Sequence, residues 1–288
     1  MKIYCYAKIN LGLNIIERMS NGFHLLDMIM TPINLYDTLD IEPNNLDYDV
    51  LTFSDPNISL GKHNTIIDAL ELMRSTFHIQ QHFSIVCDKR IPMQAGLGGG
   101  SADGAGIINF INDYCRLGLS LEELIEVGKK IGADVPFCIV NHCSRVKGIG
   151  EEVTPFNIIP TGIILVKGSE GVPTAQAFKQ TNLTTCDHPN MNSLQTTLAQ
   201  QNYEQASLLS ANSLEESSFK LVKNIAIIKE ELKEMGFYYT LMSGSGSSVY
   251  AISNDYDKLN TAANKLKEKY EYVYVTSIEN EVKYDRKH

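Results

Sequence analysis

The chain has no surplus of basic residues, no C-x-x-C pair, no long apolar run and no internal repeat or low-complexity segment. Each absence excludes something. With 25 Lys and Arg against 34 Asp and Glu, the net charge is −9 and the pI about 5.3. Nucleic-acid partners normally require a basic face, so none is expected, although local cations can still serve a nucleotide. Cys5, Cys87, Cys115, Cys138, Cys143 and Cys186 are scattered, as buried thiols in a reducing cytoplasm are. Cys138, His142 and Cys143 lie close together with His188 far off, which matches no ordinary zinc spacing. No segment approaches the roughly 18 apolar residues of a membrane span. The start carries Lys2 but no apolar stretch of signal-peptide length. These absences predict a cytoplasmic protein without a membrane or nucleic-acid partner. What is there is apolar substance: 43% of 288 residues are hydrophobic, enough for one large or two medium domains.

The densest local signal is Ile91 to Asp103, where Gly96, Gly98, Gly99 and Gly100 fall within five positions and Ser101 follows. The strand-like run Phe83–Cys87 precedes it, through the charged turn Asp88-Lys89-Arg90 and Pro92. The apolar, helix-compatible stretch Ala105–Leu117 follows. The reading is strand, glycine turn, helix start, with Ser101 as the cap. Such a turn lets bare backbone approach a ligand, and the free N–H groups of a helix start favour an anion. Two well-known phosphate loops are excluded. A Walker A loop needs Lys-Ser or Lys-Thr after its last glycine, and Ser101-Ala102 stands there. The dinucleotide fingerprint needs a third glycine where Ser101 stands.

Elsewhere the pattern alternates. Residues 3–16 read as a strand or the start of a hairpin, and a period of two places Lys8 and Asn10 on one face. Ser20-Asn21-Gly22 is a turn signal, followed by Phe23-His24. Met28–Leu35 and Thr38–Ile41 read as strands, and Asp47–Asp55 as a polar turn region. Asn64 is a good N-cap for a helix over Ile66–Phe77. Ser120-x-x-Glu123 opens another helix to Lys130 as a capping box. Asp134 stands alone before the apolar Val135-Pro136-Phe137, either capping a turn or held as a carboxylate at a site. Phe137–Val140 reads as a strand. A composition shift near Pro155–Pro160 divides the chain into domains 1–155 and 156–288. The second half reads as a strand at Gly162–Val166, a helix from Pro173, and a loop over 181–193. Helices follow near Thr196–Gln201, Tyr203–Ala211 and Lys220–Met235. Strands at Thr240–Met242 and Val249–Ile252 flank the second glycine-serine loop, Ser243–Ser248, and helix Tyr256–Tyr270 and strand Val273–Thr276 close the chain. The class is α+β.

Three segments together resemble the GHMP kinase superfamily: Ala7-Lys8-Ile9-Asn10-Leu11, Pro92 to Asp103, and Met242 to Ser247. Four more resemble its branch acting on a cytidyl alcohol: Asn21 to His24, Gly132 to Phe137, Gly148 to Glu151, and Pro173 to Phe178. The resemblance runs nearly end to end and implies the two-lobed GHMP kinase fold with mixed sheets. It departs at Phe23, usually Tyr, and at Gly104 and Gly106, usually alanines. Those glycines should loosen the helix start by roughly 1 kcal/mol each.

The resemblance implies an ATP-dependent kinase, with Mg²⁺, acting on the 2-hydroxyl of 4-(cytidine 5′-diphospho)-2-C-methylerythritol in non-mevalonate isoprenoid precursor biosynthesis. It assigns Pro92, Gly96, Leu97, Gly98, Gly99, Gly100 and Ser101 to the ATP phosphates and Asn64 to the adenine. Asn10, Phe23, His24, Phe178, Gly244, Ser245 and Gly246 go to the substrate, with Phe23 and Phe178 sandwiching the cytosine. Lys8 and Asp134 are the catalytic pair. Asp134 is either the general base or, since an acid held ionised by a cation is a weak base, a group that orients the hydroxyl. The metal's ligands are left open, and the protein is either a monomer or a homodimer. Kinases of the same superfamily acting on mevalonate, homoserine or a sugar have no base to stack. A non-catalytic nucleotide-binding homologue would be expected to lack the Lys–Asp pair or the glycines.

Overall fold

The computed structural model describes residues 1–54 and 64–282. Asp55, which ends the expected polar segment, and His63 lie outside the described residues. The chain begins with β1 (Lys2–Arg18), β2 (His24–Asn44), β3 (Val50–Phe53), α1 (Thr65–Phe77), β4 (His82–Asp88) and α2 (Gly99–Tyr114). Then come α3 (Leu121–Gly128), α4 (Val135–Val140), β5 (Ser144–Gly148) and β6 (Glu152–Pro155). The second half supplies β7 (Thr161–Lys167), α5 (Thr174–Gln180), α6 (Met191–Ala199), α7 (Tyr203–Leu209), α8 (Glu215–Leu221) and α9 (Asn224–Glu234). It ends with β8 (Tyr239–Met242), β9 (Val249–Ile252), α10 (Tyr256–Leu266) and β10 (Tyr272–Ile278).

The fold is α+β with a mixed sheet in the order β3-β4-β2-β10-β7-β9-β8; β3 runs parallel to β4 and the other pairs are antiparallel. β2 is the organising strand because its length gives it several partners. β1 pairs along one edge, from Lys2↔Asp40 to Arg18↔His24. The other edge takes β5 at Leu26–Met30, β10 at Ile33 and β4 at Thr38–Asn44. Among the described residues β10 meets β2 at the pair Ile278↔Ile33, which links strands of the two halves. Helices α1, α3 and α4 pack around α2, which lies on β1, while α9 and α10 cover the strands of the second half. One apolar cluster fills these helix–sheet layers, and a second, with Ala7, Ile9 and Leu11 among Tyr239 and Tyr250, lies on the other face of β1.

Five expectations need correction. The segment read as a polar turn region contains β3, Val50–Phe53, which pairs in parallel with β4. Phe137–Val140 is helical, not a strand. Pro136 favours a helical first turn, Asn141 ends it at φ 53°, and burial against α2 and α3 overrides β-branched preference. The helix expected over Lys220–Met235 is two, because Val222 is extended (φ −134°, ψ 94°) between α8 and α9. Ser101 does not cap α2; the cap position is Gly98 in the left-handed region, with no side-chain bond, and Ser101 sits inside the first turn. Finally, Gly106 does more than loosen the helix. A Cβ there would stand 2.6 Å from Cys5 Sγ and 3.2 Å from Ile3 Cδ1, so the glycine is what lets α2 lie against β1. At Gly104 a Cβ would meet the Thr65 carbonyl oxygen at 3.3 Å.

Candidate active site

Lys8 and Asn10 share a face of β1, as the strand period predicts: Lys8 Nζ donates to Asn10 Oδ1 at 2.8 Å. The pairing register of β1 slips between Tyr6 and Lys8 and again between Asn10 and Gly12. The two irregularities bracket the pair, and such bulges re-aim side chains. Both residues are buried, Lys8 at 3% exposure. The Lys8 amide donates to the Leu97 carbonyl at 3.0 Å, which fastens the strand to the glycine turn.

The turn needs glycine for contact as well as conformation. Gly96 (φ 74°) would place a Cβ 2.0 Å from the Ser243 carbonyl oxygen, and Gly98 (φ 71°) would place one 3.0 Å from Lys8 Cγ. Ala102 N–H bonds back to the Gly98 carbonyl. The amides of Gly99, Gly100 and Ser101 precede it in the first turn, where a helix has no acceptor of its own to offer. No acidic residue stands in that turn, so the end of α2 presents amides and a positive dipole to the cavity.

Asp134 occupies the N-cap position of α4, yet its carboxylate makes no capping bond. It turns instead to Lys8, with Nζ to Oδ2 at 3.3 Å and a side chain 32% exposed. The second glycine loop closes over Lys8 from the other half: a Cβ on Gly244 would lie 3.2 Å from Lys8 Nζ. Ser243 Oγ donates to the Gly96 carbonyl at 2.9 Å, and the amides of Ser247 and Ser248 donate to the carbonyls of Gln94 and Ala95. Asn212 Nδ2 in turn holds the Met242 and Gly244 carbonyls.

These parts enclose a cavity of about 470 Å³. Pro92, Gly96 to Ser101, Lys8, Asn10, Asp134, Phe178, Gly244 and Ser245 line it; Asn64, Phe23, His24 and Gly246 do not. Asn64 caps α1 through its side-chain oxygen. The ring that meets Phe178 is His24, at a centroid distance of 5.0 Å and a tilt of 36°, whereas Phe23 stands 56% exposed at the hairpin turn. Burial, with a smaller contribution from Arg18, lowers the His24 pKa and favours the neutral ring at neutral pH. Lys8 and Lys89 are the cations of the lining and Asp134 its acid, among the described residues.

The family model "GHMP kinases N terminal domain" matches residues 64–142, and "GHMP kinases C terminal" matches 194–271. A 4-diphosphocytidyl-2-C-methyl-D-erythritol kinase of Clostridium botulinum (strain Alaska E43 / Type E3) is 36% identical over 280 residues, 96% of this chain and 99% of the relative. The enzyme of that name from Clostridium kluyveri (strain NBRC 12016) is 37% identical over 278 residues, with the same coverage of each chain. The chain belongs to the 4-diphosphocytidyl-2-C-methyl-D-erythritol kinase family of GHMP kinases. A crystal structure of 4-(cytidine 5′-diphospho)-2C-methyl-D-erythritol kinase superposes with a TM-score of 0.80 at 26% identity, covering 96% of this chain and 99% of that one. The L. major mevalonate kinase shares the fold at lower identity (TM-score 0.72, 14% identity, covering 97% of this chain and 96% of that one).

For this GHMP kinase, sequence reasoning missed Lys89, Asp37 and Asp103. Lys89 Nζ bonds the carboxylates of both acids, Asp103 at 2.6 Å. Asp37 Oδ1 also accepts the amides of Arg90 at 2.5 Å and Ile91 at 2.8 Å. Asp103 Oδ1 has no hydrogen-bond partner. Burial lowers the Lys89 pKa, but Asp103 and Asp37 outweigh it and raise the value overall, so Lys89 keeps its proton. Burial pushes the Asp103 carboxyl well above the usual range; Lys89 opposes this and Asp37 adds to it. A signal was available: Asp103 falls at helical spacing with Ile107, Phe110 and Ile111, so it had to sit on the buried face. Nothing in the sequence paired it with Asp37, 66 positions upstream by subtraction (103 − 37).

Proposed function

We propose that the protein transfers the γ-phosphoryl group of ATP to the 2-hydroxyl of 4-(cytidine 5′-diphospho)-2-C-methyl-D-erythritol, a step toward isoprenoid precursors. One observation carries the reading: Lys8 and Asp134 meet at 3.3 Å beside a helix start of bare glycine amides, in a cavity whose wall includes Phe178. Phosphoryl transfer asks the protein mainly for position and charge compensation. The amides of Leu97 to Ser101 cradle the triphosphate. The substrate hydroxyl oxygen bonds to the γ-phosphorus while the bond to the β–γ bridging oxygen breaks, and ADP leaves with that electron pair. Lys8 offsets the charge of the transferred group. The hydroxyl proton passes to Asp134, or Asp134 orients the hydroxyl and the proton leaves late to a phosphate oxygen.

At the other end Phe178 and His24 supply a platform for the cytosine, and a neutral His24 can bond the base edge. Asn10 and Ser245 reach the erythritol and its diphosphate, and Gly246 shapes the loop carrying Ser245. Asn64 offers its remaining side-chain nitrogen to the adenine. Mg²⁺ fits as part of the nucleotide. No group of three or more His, Cys, Asp and Glu side chains among the described residues could hold a metal. In nucleotide sites Mg²⁺ commonly relies on one or two carboxylates, phosphate oxygens and water, and Asp134 is the carboxylate at hand. The same reading divides the chain at 155/156.

The test is a coupled kinase assay with ATP and the cytidyl alcohol. Asp134→Asn and Lys8→Ala should each cost about 100-fold or more in kcat while nucleotide binding persists by calorimetry. Near-normal turnover in either would remove the assigned role. Faster phosphorylation of mevalonate or homoserine than of the cytidyl alcohol would overturn the substrate.

A further inference from the structure

The glycine turn leaves β4 and returns as α2, so its two ends belong to different elements. Both ends are tied to one buried point on β2. On the incoming side, Asp37 Oδ1 accepts the amides of Arg90 and Ile91, and Asp37 Oδ2 accepts from Lys89 Nζ. On the outgoing side, the same Lys89 Nζ bonds Asp103 Oδ2 on α2 at 2.6 Å. Asp37 is fully buried and Asp103 is 3% exposed. Lys89 nevertheless reaches the cavity wall, and a Cβ on Gly99 would lie 3.4 Å from its Nζ. The turn therefore passes between two lysines, with Lys8 against Gly98 and Lys89 against Gly99.

We infer that Lys89, held by Asp37 and Asp103, is a positioning residue that staples both ends of the phosphate turn and so sets the spacing of the amides that receive the ATP phosphates. The inference rests on the kinase reading above. A purely structural ion cluster would be poor value here: isolating charge from water is costly, and apolar replacements of similar volume are often no less stable. A geometric demand explains it better, because binding groups held by loops depend on the residues behind them for sub-ångström placement. Without the staple the incoming segment and α2 can slide apart, and the amides diverge. The substrate end, built on β2, α5 and the second glycine loop, does not depend on this tie.

Calorimetry of the full chain with ATP and, separately, with the cytidyl alcohol tests it. Lys89→Met should bind ATP at least about ten-fold more weakly and the cytidyl alcohol within about two-fold of the unaltered protein. Asp103→Ala, which frees α2 but keeps the Lys89–Asp37 contact, should show the same split if Lys89→Met fails to fold. Asp103→Asn, which leaves an oxygen for Lys89 Nζ, should recover most of the lost ATP affinity. An ATP affinity unchanged in Lys89→Met or in Asp103→Ala overturns the inference, as does an equal loss for both ligands. Absence of ATP binding by the unaltered protein overturns the kinase reading and takes this inference with it.

Discussion

Asp103 places an ionisable group where water cannot reach it, and its consequence can be read in stability against pH. Burial and Asp37 raise its pKa in the folded chain. The unfolded chain therefore releases this proton at lower pH than the folded one. Between the ordinary carboxylate value, about 3.9, and the raised one, the folded state binds more protons. Its contribution to stability is present below that window and is lost as pH climbs through it. Asp103→Asn cannot ionise, so its Tm should rise relative to the unaltered protein from about pH 4 up to about pH 7, where the buried carboxyl titrates. A difference that stays constant, or shrinks, would show that Asp103 is ionised throughout. At the base end of the cavity, Phe178→Ala should raise KM for the cytidyl alcohol several-fold and spare that for ATP, whereas Phe23→Ala should do much less. Equal effects from the two substitutions would favour the sandwich of Phe23 and Phe178 over the pair of Phe178 and His24.

At the scale of elements, α2 depends on a missing side chain. Ala is preferred to Gly in a helix interior by roughly 1 kcal/mol, so Gly106→Ala ought to stabilise α2 taken alone. In the folded chain the added methyl meets Cys5 Sγ at 2.6 Å, and overpacking costs typically about 1–3 kcal/mol. Gly106→Ala should therefore lower the urea midpoint, and Cys5→Ala in the same chain should recover most of the loss. Additive effects in that double-mutant cycle would place the strain elsewhere. Here the sequence was readable only in part. The glycine turn, the shared face of Lys8 and Asn10, and the Ser120 capping box follow from local patterns. The helix at Val135–Val140 and the crowding at Gly106 do not, because α2, α3 and β1 impose them from a distance. The same limit hid the Asp37–Lys89–Asp103 cluster: helical spacing puts Asp103 on a buried face, but nothing local names its partners, which come from β2 and the turn after β4.

At the scale of the molecule, the two glycine loops are one device. Amides of Ser247 and Ser248 in the second half bond carbonyls of Gln94 and Ala95 in the first, and Ser243 Oγ bonds the Gly96 carbonyl. A ligand that steadies the first loop must steady the second. ATP alone should slow hydrogen exchange at Ser247 and Ser248 as well as at Gly98 to Ser101; protection confined to the first loop would mean that the halves move independently. The order of motifs along the chain suggested convergence on one site, but not this lacing, which apart from the Ser243 hydroxyl is made by backbone atoms that carry no residue identity.

The paired slips in β1 carry a last implication. Because they flank Lys8 and Asn10, the aim of the lysine is fixed by arithmetic along the strand as much as by its chemistry. Removing one residue between Ala7 and Leu11 leaves the composition almost untouched but turns the following side chains toward the opposite surface. In this stretch, shortening the chain by a single unit threatens the reaction more than most exchanges of one amino acid for another.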